Sequence, residues 1–158
     1  MPFKVGLTVQ IPGAQILSLR YLVTDFTGTL SKDGVLLAGV ESSLRKIAQM
    51  LDITVATADT FGTVRDALAG LPIELQMVDS GLDKAKLVER LGRSQVVALG
   101  NGRNDVAMLH KAALGIAIIG PEGAAGELLT AAHVVVRDVN DALDLLIQPL
   151  RLTATLRP

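Results

Sequence analysis

From Tyr21 onward the chain alternates short apolar runs with amphipathic helical stretches, with little loop between them. The first run, Tyr21, Leu22, Val23 and Thr24, opens the stretch YLVTDFTGTL and has the β-branched character of a buried strand. Residues 40–51 carry Leu44, Ile47, Ala48 and Leu51 at helical spacing, and residues 53–58 form the next strand, ending in Thr57, Asp59 and Thr60. Helices over 63–69, 83–91, 105–113 and 123–131 then take turns with strands over 73–78, 96–99, 115–118 and 133–136. A last helix is expected over about 140–150, followed by a tail. Such a rhythm calls for an α/β fold in which a doubly wound, mostly parallel sheet is covered on both faces.

The residues before this pattern read differently. Residues 3–11 alternate as a strand, Pro12-Gly13 is a turn, and residues 15–26 return as one or two strands leading into Asp25. Residues 31–37 form a short hairpin turning at Asp33-Gly34. No linker, repeat or low-complexity segment divides the chain, so residues 1–158 are expected to form one domain. The core is aliphatic, because 49% of residues are apolar but only 3% aromatic. A net charge of −1 without blocks of one sign argues against nucleic-acid or anionic-membrane partners. With no Cys there is neither a disulfide framework nor a thiolate metal site. Met1, Pro2, Phe3 and Lys4 do not begin a secretory signal, and the apolar stretch 112–120 is too short to span a bilayer. A cytoplasmic protein is expected.

In a parallel sheet all strand C-termini open on one rim, which is where such folds place their chemistry. Asp25 and Thr27 follow the first strand, Thr57 and Asp59 the second, and Gly100 to Asp105 (GNGRND) the strand over 96–99. Lys84 stands near a helix N-terminus, and both features favour anions. Each has a plainer reading. Thr57 suits an ordinary strand end, Lys84 or Lys86 a solvated helix charge, and Asn104 and Asp105 a helix cap. Together, however, they supply a nucleophile, a phosphate donor, a charge neutraliser and a Mg²⁺ carboxylate, the set that phosphoryl transfer needs. His110 and His133 stand apart and are read as structural, and Leu146, Ile147, Leu150 and Leu152 as core or interface.

These motifs resemble the haloacid dehalogenase (HAD) superfamily, and within it the soluble relatives of P-type ATPase phosphorylation domains. DFTGTL is similar to the DKTGT signature, with Asp25 at the phosphorylated aspartate. ATADT places Thr57 at the second motif and Asp59 at the Asp of TGD. DKAKLVERL fits K-x-x-x-V-x-x-L from Lys84, with Lys86 as the alternative, and GNGRND resembles GDGxND with Asn104 and Asp105 last. The resemblance implies an HAD-like Rossmannoid fold and an aspartyl-phosphate formed on Asp25. It implies Mg²⁺ held by Asp25, the Thr27 carbonyl and the GNGRND loop, where Asn101 and Asp105 are the candidate ligands. Thr57 and the Ala58 amide would hold phosphoryl oxygens, Lys84 would offset their charge, and Asp105 would orient Lys84 or the metal's waters.

Two departures from the family pattern bear on activity. Thr27 stands where most HAD phosphatases have a second Asp as general acid and base, so roughly 10²- to 10⁴-fold of acid–base help is missing and hydrolysis is expected to be slow. Asn101 replaces a metal-binding Asp, which costs the site one charge but leaves an oxygen ligand. Only 31 residues lie between Asp25 and Thr57, which excludes a pump's nucleotide-binding domain and leaves the 31–37 hairpin as the only cover of a capless site. Capless relatives act on exposed, large substrates or close the site with a neighbouring subunit, so a homo-oligomer is a further expectation; the substrate expected here is a small-molecule or exposed phosphoester. The leading function is a Mg²⁺-dependent phosphohydrolase, and the competing one is a phosphate- or phosphoprotein-binding module with negligible turnover. A receiver-like domain is disfavoured, because its phosphoacceptor lies later in the chain than its acidic cluster.

Overall fold

A computed structural model describes residues 3–59 and 62–158. Thr60, read above at a strand end, lies outside the described residues, as do Met1 and Pro2. The chain opens with an antiparallel hairpin of β1 (Leu7–Gln10) and β2 (Ile16–Leu19) that stays apart from the main sheet. Strand alternation turns Leu7, Val9, Leu17 and Leu19 inward. Next comes β3 (Tyr21–Thr24), then the short hairpin β4 (Ser31–Lys32) and β5 (Val35–Leu36). Asp33 and Gly34 take φ of 51° and 81° at its turn, the left-handed pair that a two-residue hairpin requires.

Helix α1 (Val40–Ile47), strand β6 (Asp52–Thr57), helix α2 (Val64–Ala67) and strand β7 (Glu74–Met77) follow. The second half continues with α3 (Gly81–Leu91), β8 (Val96–Gly100), α4 (Val106–Lys111), β9 (Leu114–Ile118), α5 (Gly126–Ala131), β10 (Val134–Val136), α6 (Val139–Ile147) and α7 (Leu150–Leu156). Six strands pair in parallel in the order β10-β9-β8-β3-β6-β7. The chain therefore winds outward from β3 through β6 to β7, crosses back to β8, and winds outward again. This is the doubly wound arrangement, with its switch point between β3 and β8.

Each face of the sheet has its own core. Leu22, Val97, Leu99 and Ile116 pack against α1, α6, α7 and the β1–β2 hairpin. The alternate residues Val23, Val96, Ala98 and Ala117 pack against α3, α4 and α5. Leu22, Val23 and Thr24 are buried on both sides, as a central parallel strand demands.

Among the boundaries that differ from the sequence expectation, three have a local cause. Helix α3 starts at Gly81, two residues early, because Ser80 caps it: the Ser80 hydroxyl accepts from the Asp83 amide at 3.3 Å, and the Asp83 carboxylate accepts from Asp79 N at 3.2 Å. Helix α5 starts only at Gly126, since residues 120–123 close a turn through Gly123 N to Gly120 O at 2.9 Å. The expected tail is helical. Pro149 cannot donate a backbone hydrogen bond, so α6 stops at Ile147 and a second helix starts after the proline, burying Leu152.

Candidate active site

Asp25 follows β3 directly, and the loop 101–105 follows β8, so the switch point brings them together. Strand pairing continues one step past β3, with Asp25 N donating to Leu99 O at 3.0 Å. Lys84 reaches the same place from the first turn of α3. Its Nζ donates to Asp25 Oδ1 at 2.9 Å and to Asp105 Oδ1 at 2.8 Å. Lys84 and Asp105 are 0% exposed and Asp25 is 5% exposed. Lys86 is exposed, so spacing along α3 turns only Lys84 into the crevice. The approach is tight, because a Cβ on Gly81 would lie 2.5 Å from Asn104 O, which seats the start of α3 directly on the 103–105 turn.

The Asp105 carboxylate is used on both oxygens. Oδ1 takes Lys84, and Oδ2 accepts from Asn101 N at 3.1 Å and Gly102 N at 3.0 Å. Asn104 is exposed and its side chain makes no hydrogen bond among the described residues; it contributes its backbone, at the contact with Gly81. Asn101 Nδ2 donates to Gly123 O at 3.0 Å, while its Oδ1 accepts from the Thr29 hydroxyl at 3.1 Å. These two bonds fix which end of the amide faces Asp25: the oxygen. Thr29 Oγ1 also lies 3.3 Å from Asp25 Oδ2. Gly28, at φ 76°, passes so close that a Cβ there would sit 2.5 Å from Asn101 Nδ2.

Across the crevice, β6 ends in Thr57, which is 1% exposed. Its oxygen accepts from Asp59 N at 3.1 Å, so the hydroxyl proton is free to be donated elsewhere. Ala58 is exposed, and its N–H has no acceptor among the described residues. Asp59 has a φ of 52°, and its carboxylate accepts from Val64 N at 3.2 Å, at the start of α2. Thr27 Oγ1 is enclosed, with no hydrogen-bond partner among the described residues. The β4–β5 hairpin lies across this rim, held on one side by Thr63 Oγ1 donating to Gly34 O at 2.9 Å. On the other side Asp33 N donates to Glu122 Oε2 at 3.0 Å.

The charges are strongly coupled. Burial, and then the nearby Asp105 carboxylate, raise the Asp25 pKa to about 7 against the opposing pull of Lys84 and the Phe26 amide. For Lys84, burial works to lower the pKa, but the charges of Asp25 and Asp105 and the hydrogen bonds to both leave it raised. Lys84 is therefore a permanent cation, held between two carboxylates that offset its desolvation. His133 belongs elsewhere: its Nδ1 accepts from Gly115 N at 2.9 Å, and burial, aided by the charge of His110, lowers its pKa.

Among the described residues no three His, Cys, Asp or Glu side chains converge as a metal cluster. The donors in the crevice suit a different kind of site. Asp25 Oδ2 and the fixed Asn101 oxygen lie on one hydroxyl, beside the main chain of Thr27. All of these are hard oxygens, and few of them, which fits Mg²⁺, an ion that keeps several of its own waters. Thr29 and the Gly123 carbonyl were not singled out from sequence. The only signal for Thr29 is its place as the second hydroxyl of the Thr-Gly-Thr turn.

Comparison with known proteins bears on the fold and the family. An uncharacterized protein of Methanocaldococcus jannaschii is 45% identical over 78 residues, covering 47% of this chain and 84% of its own. The 3-deoxy-D-manno-octulosonate 8-phosphate phosphatase of Moraxella catarrhalis, solved with magnesium, phosphate and KDO, has the same fold, with a TM-score of 0.67 at 16% identity over 86% of this chain and 90% of that one. The catalytic domain of the CPx-ATPase CopB-B matches with a TM-score of 0.60 at 24% identity, over 71% of this chain and 46% of that one. The haloacid dehalogenase-like hydrolase family profile matches residues 35–143, which takes in Thr57, Lys84 and the 101–105 loop and begins after Asp25. With more than half of its length matched by that profile, the chain belongs to the haloacid dehalogenase-like hydrolases.

Proposed function

We propose that the chain is a Mg²⁺-dependent phosphohydrolase acting on small or exposed phosphomonoesters through an aspartyl-phosphate. The observation that carries this reading is the buried Lys84 ammonium bridging Asp25 and Asp105 at the sheet's switch point. Lys84 holds Asp25 Oδ1, which attacks phosphorus as the ester oxygen departs on the opposite side. Thr57 donates its free hydroxyl proton to a phosphoryl oxygen, and the unpaired Ala58 amide donates to another. Lys84 balances the charge that accumulates there. Water then releases inorganic phosphate and restores the Asp25 carboxylate. Mg²⁺, held by Asp25, the Thr27 carbonyl and Asn101, supplies charge neutralisation and orientation. Asp105 orients Lys84 through Oδ1 and holds the Asn101 and Gly102 amides through Oδ2, and it stays a candidate to hold the ion or its waters.

Thr27 offers a hydroxyl but no useful acid or base, so turnover is slow and depends on the leaving group. The same feature favours the second reading, a phosphate- or phosphoprotein-binding module. The DFTGTL likeness supports placing the chain beside the P-type ATPase phosphorylation domains. Residues 1–158 are read as one domain acting in the cytoplasm, and among the described residues no helix is long and apolar enough to cross a membrane.

The test is hydrolysis of an activated aryl phosphate with and without Mg²⁺, comparing wild type with Asp25→Asn. Metal-dependent turnover that is lost by at least about 10³-fold in the variant is expected, since the nucleophile is removed. Absence of turnover in folded wild type selects the binding module instead.

A further inference from the structure

We propose that Thr29 is a positioning residue for the cation, acting through the two side chains that hold it. This rests on the reading of Asp25 and Asn101 as ligands. Thr29 is 0% exposed, and its hydroxyl lies 3.3 Å from Asp25 Oδ2 and 3.1 Å from Asn101 Oδ1, so its single proton is shared between the two oxygens, the Asn101 one being nearer. The need for it follows from the amide at Asn101. A carboxylate there would be drawn to a cation by its charge, whichever way it started. A neutral amide presents either an oxygen or an NH₂, and only its hydrogen bonds decide which. Gly123 O fixes the nitrogen end at 3.0 Å, and Thr29 fixes the oxygen end.

Thr29 is itself held by its turn, with its N–H donating to Phe26 O at 3.2 Å, so its hydroxyl is anchored to the main chain beside Asp25. Removing the hydroxyl leaves Asn101 Oδ1 without its donor, so that the amide is held at its nitrogen end alone, by Gly123 O. Hydrogen bonds made behind metal ligands are worth roughly 10- to 100-fold in metal affinity.

The experiment is a calorimetric titration of MgCl₂ into metal-free protein without substrate, for wild type, Thr29→Val and Thr29→Ser, with melting followed in EDTA. Thr29→Val, which keeps the shape, is expected to bind Mg²⁺ about 10-fold or more weakly. Thr29→Ser should restore wild-type affinity, and the melting temperatures in EDTA should stay close together. Should Thr29→Val fail to fold, Thr29→Ala takes its place with the same expected loss. Wild-type affinity in a folded Thr29→Val or Thr29→Ala variant overturns the role of Thr29 and leaves the reading of the site intact. A wild-type protein that binds no Mg²⁺ overturns the cation reading, and this proposal with it.

Discussion

Asp25 is pulled two ways. As a nucleophile it must be ionised, yet burial and the Asp105 carboxylate favour its neutral form up to about pH 7. In metal-free protein the folded chain therefore holds this proton more tightly than the unfolded chain, whose carboxyl has its ordinary value of 3.8. The stability contributed by this group is complete below that value and is lost as pH rises through about 7. Asp25→Asn removes the titrating group. In EDTA its melting temperature relative to wild type should rise by a few degrees between about pH 5 and pH 8, measured by calorimetry. Parallel curves for the two proteins would show that Asp25 is not the coupled group. Asp25, Lys84, Asn101 and Asp105 were legible in the sequence because each follows a strand end or opens a helix, which is enough to place it on the rim. Lys84 was preferred to Lys86 because it is spaced with Val88 and Leu91, and the structure buries it on that face while Lys86 is exposed. The start of α3 was less legible, because the Ser80 cap sets it two residues before the expected Asp83. Thr29 was illegible for a different reason, since its partner Asn101 lies 72 residues away in the chain.

At the scale of elements, the β4–β5 hairpin is the piece whose position matters to the site. Its own ladder is only two residues long on each side, too short to hold it in place alone. Its base is tied to the Phe26 carbonyl by the Ser31 hydroxyl at 2.9 Å, and its tip is held over the rim by Thr63 and Glu122. Glu122→Ala removes the acceptor for Asp33 N, and hydrogen exchange at that amide is expected to quicken severalfold, while Glu122→Gln keeps exchange near wild type. Unchanged exchange in the alanine variant would mean that Thr63 and the ladder suffice. The hairpin itself was readable from Asp33-Gly34 between apolar residues. Its fastenings were not, because they join it to loops distant in sequence. Likewise the apolar runs located every strand of the main sheet, whereas α7 was taken for tail, the expected last helix having been carried through Pro149 to about 150.

For the molecule as a whole, the central sheet separates two aliphatic cores, and the last helix completes one of them. Leu152 is fully buried there with Leu143 and Leu146. Leu152→Ala is expected to cost about 2–5 kcal/mol, which for a chain of this size lowers the melting temperature by roughly 5–15 °C, measurable by calorimetry. A loss below about 1 kcal/mol would mean that α7 lies loosely on the core. The fastened hairpin also has a consequence on this scale. The two attachments at its tip grip the main chain, the Asp33 N–H and the Gly34 carbonyl, while the gripping side chains belong to neighbouring loops, and Ser31, which ties down its base, is buried. The arch is thus held by its backbone and not by what it displays. Lys32 and Val35, both exposed upon it, are left free to meet an incoming molecule, so the surface at the entrance can be rewritten without unfastening the entrance itself.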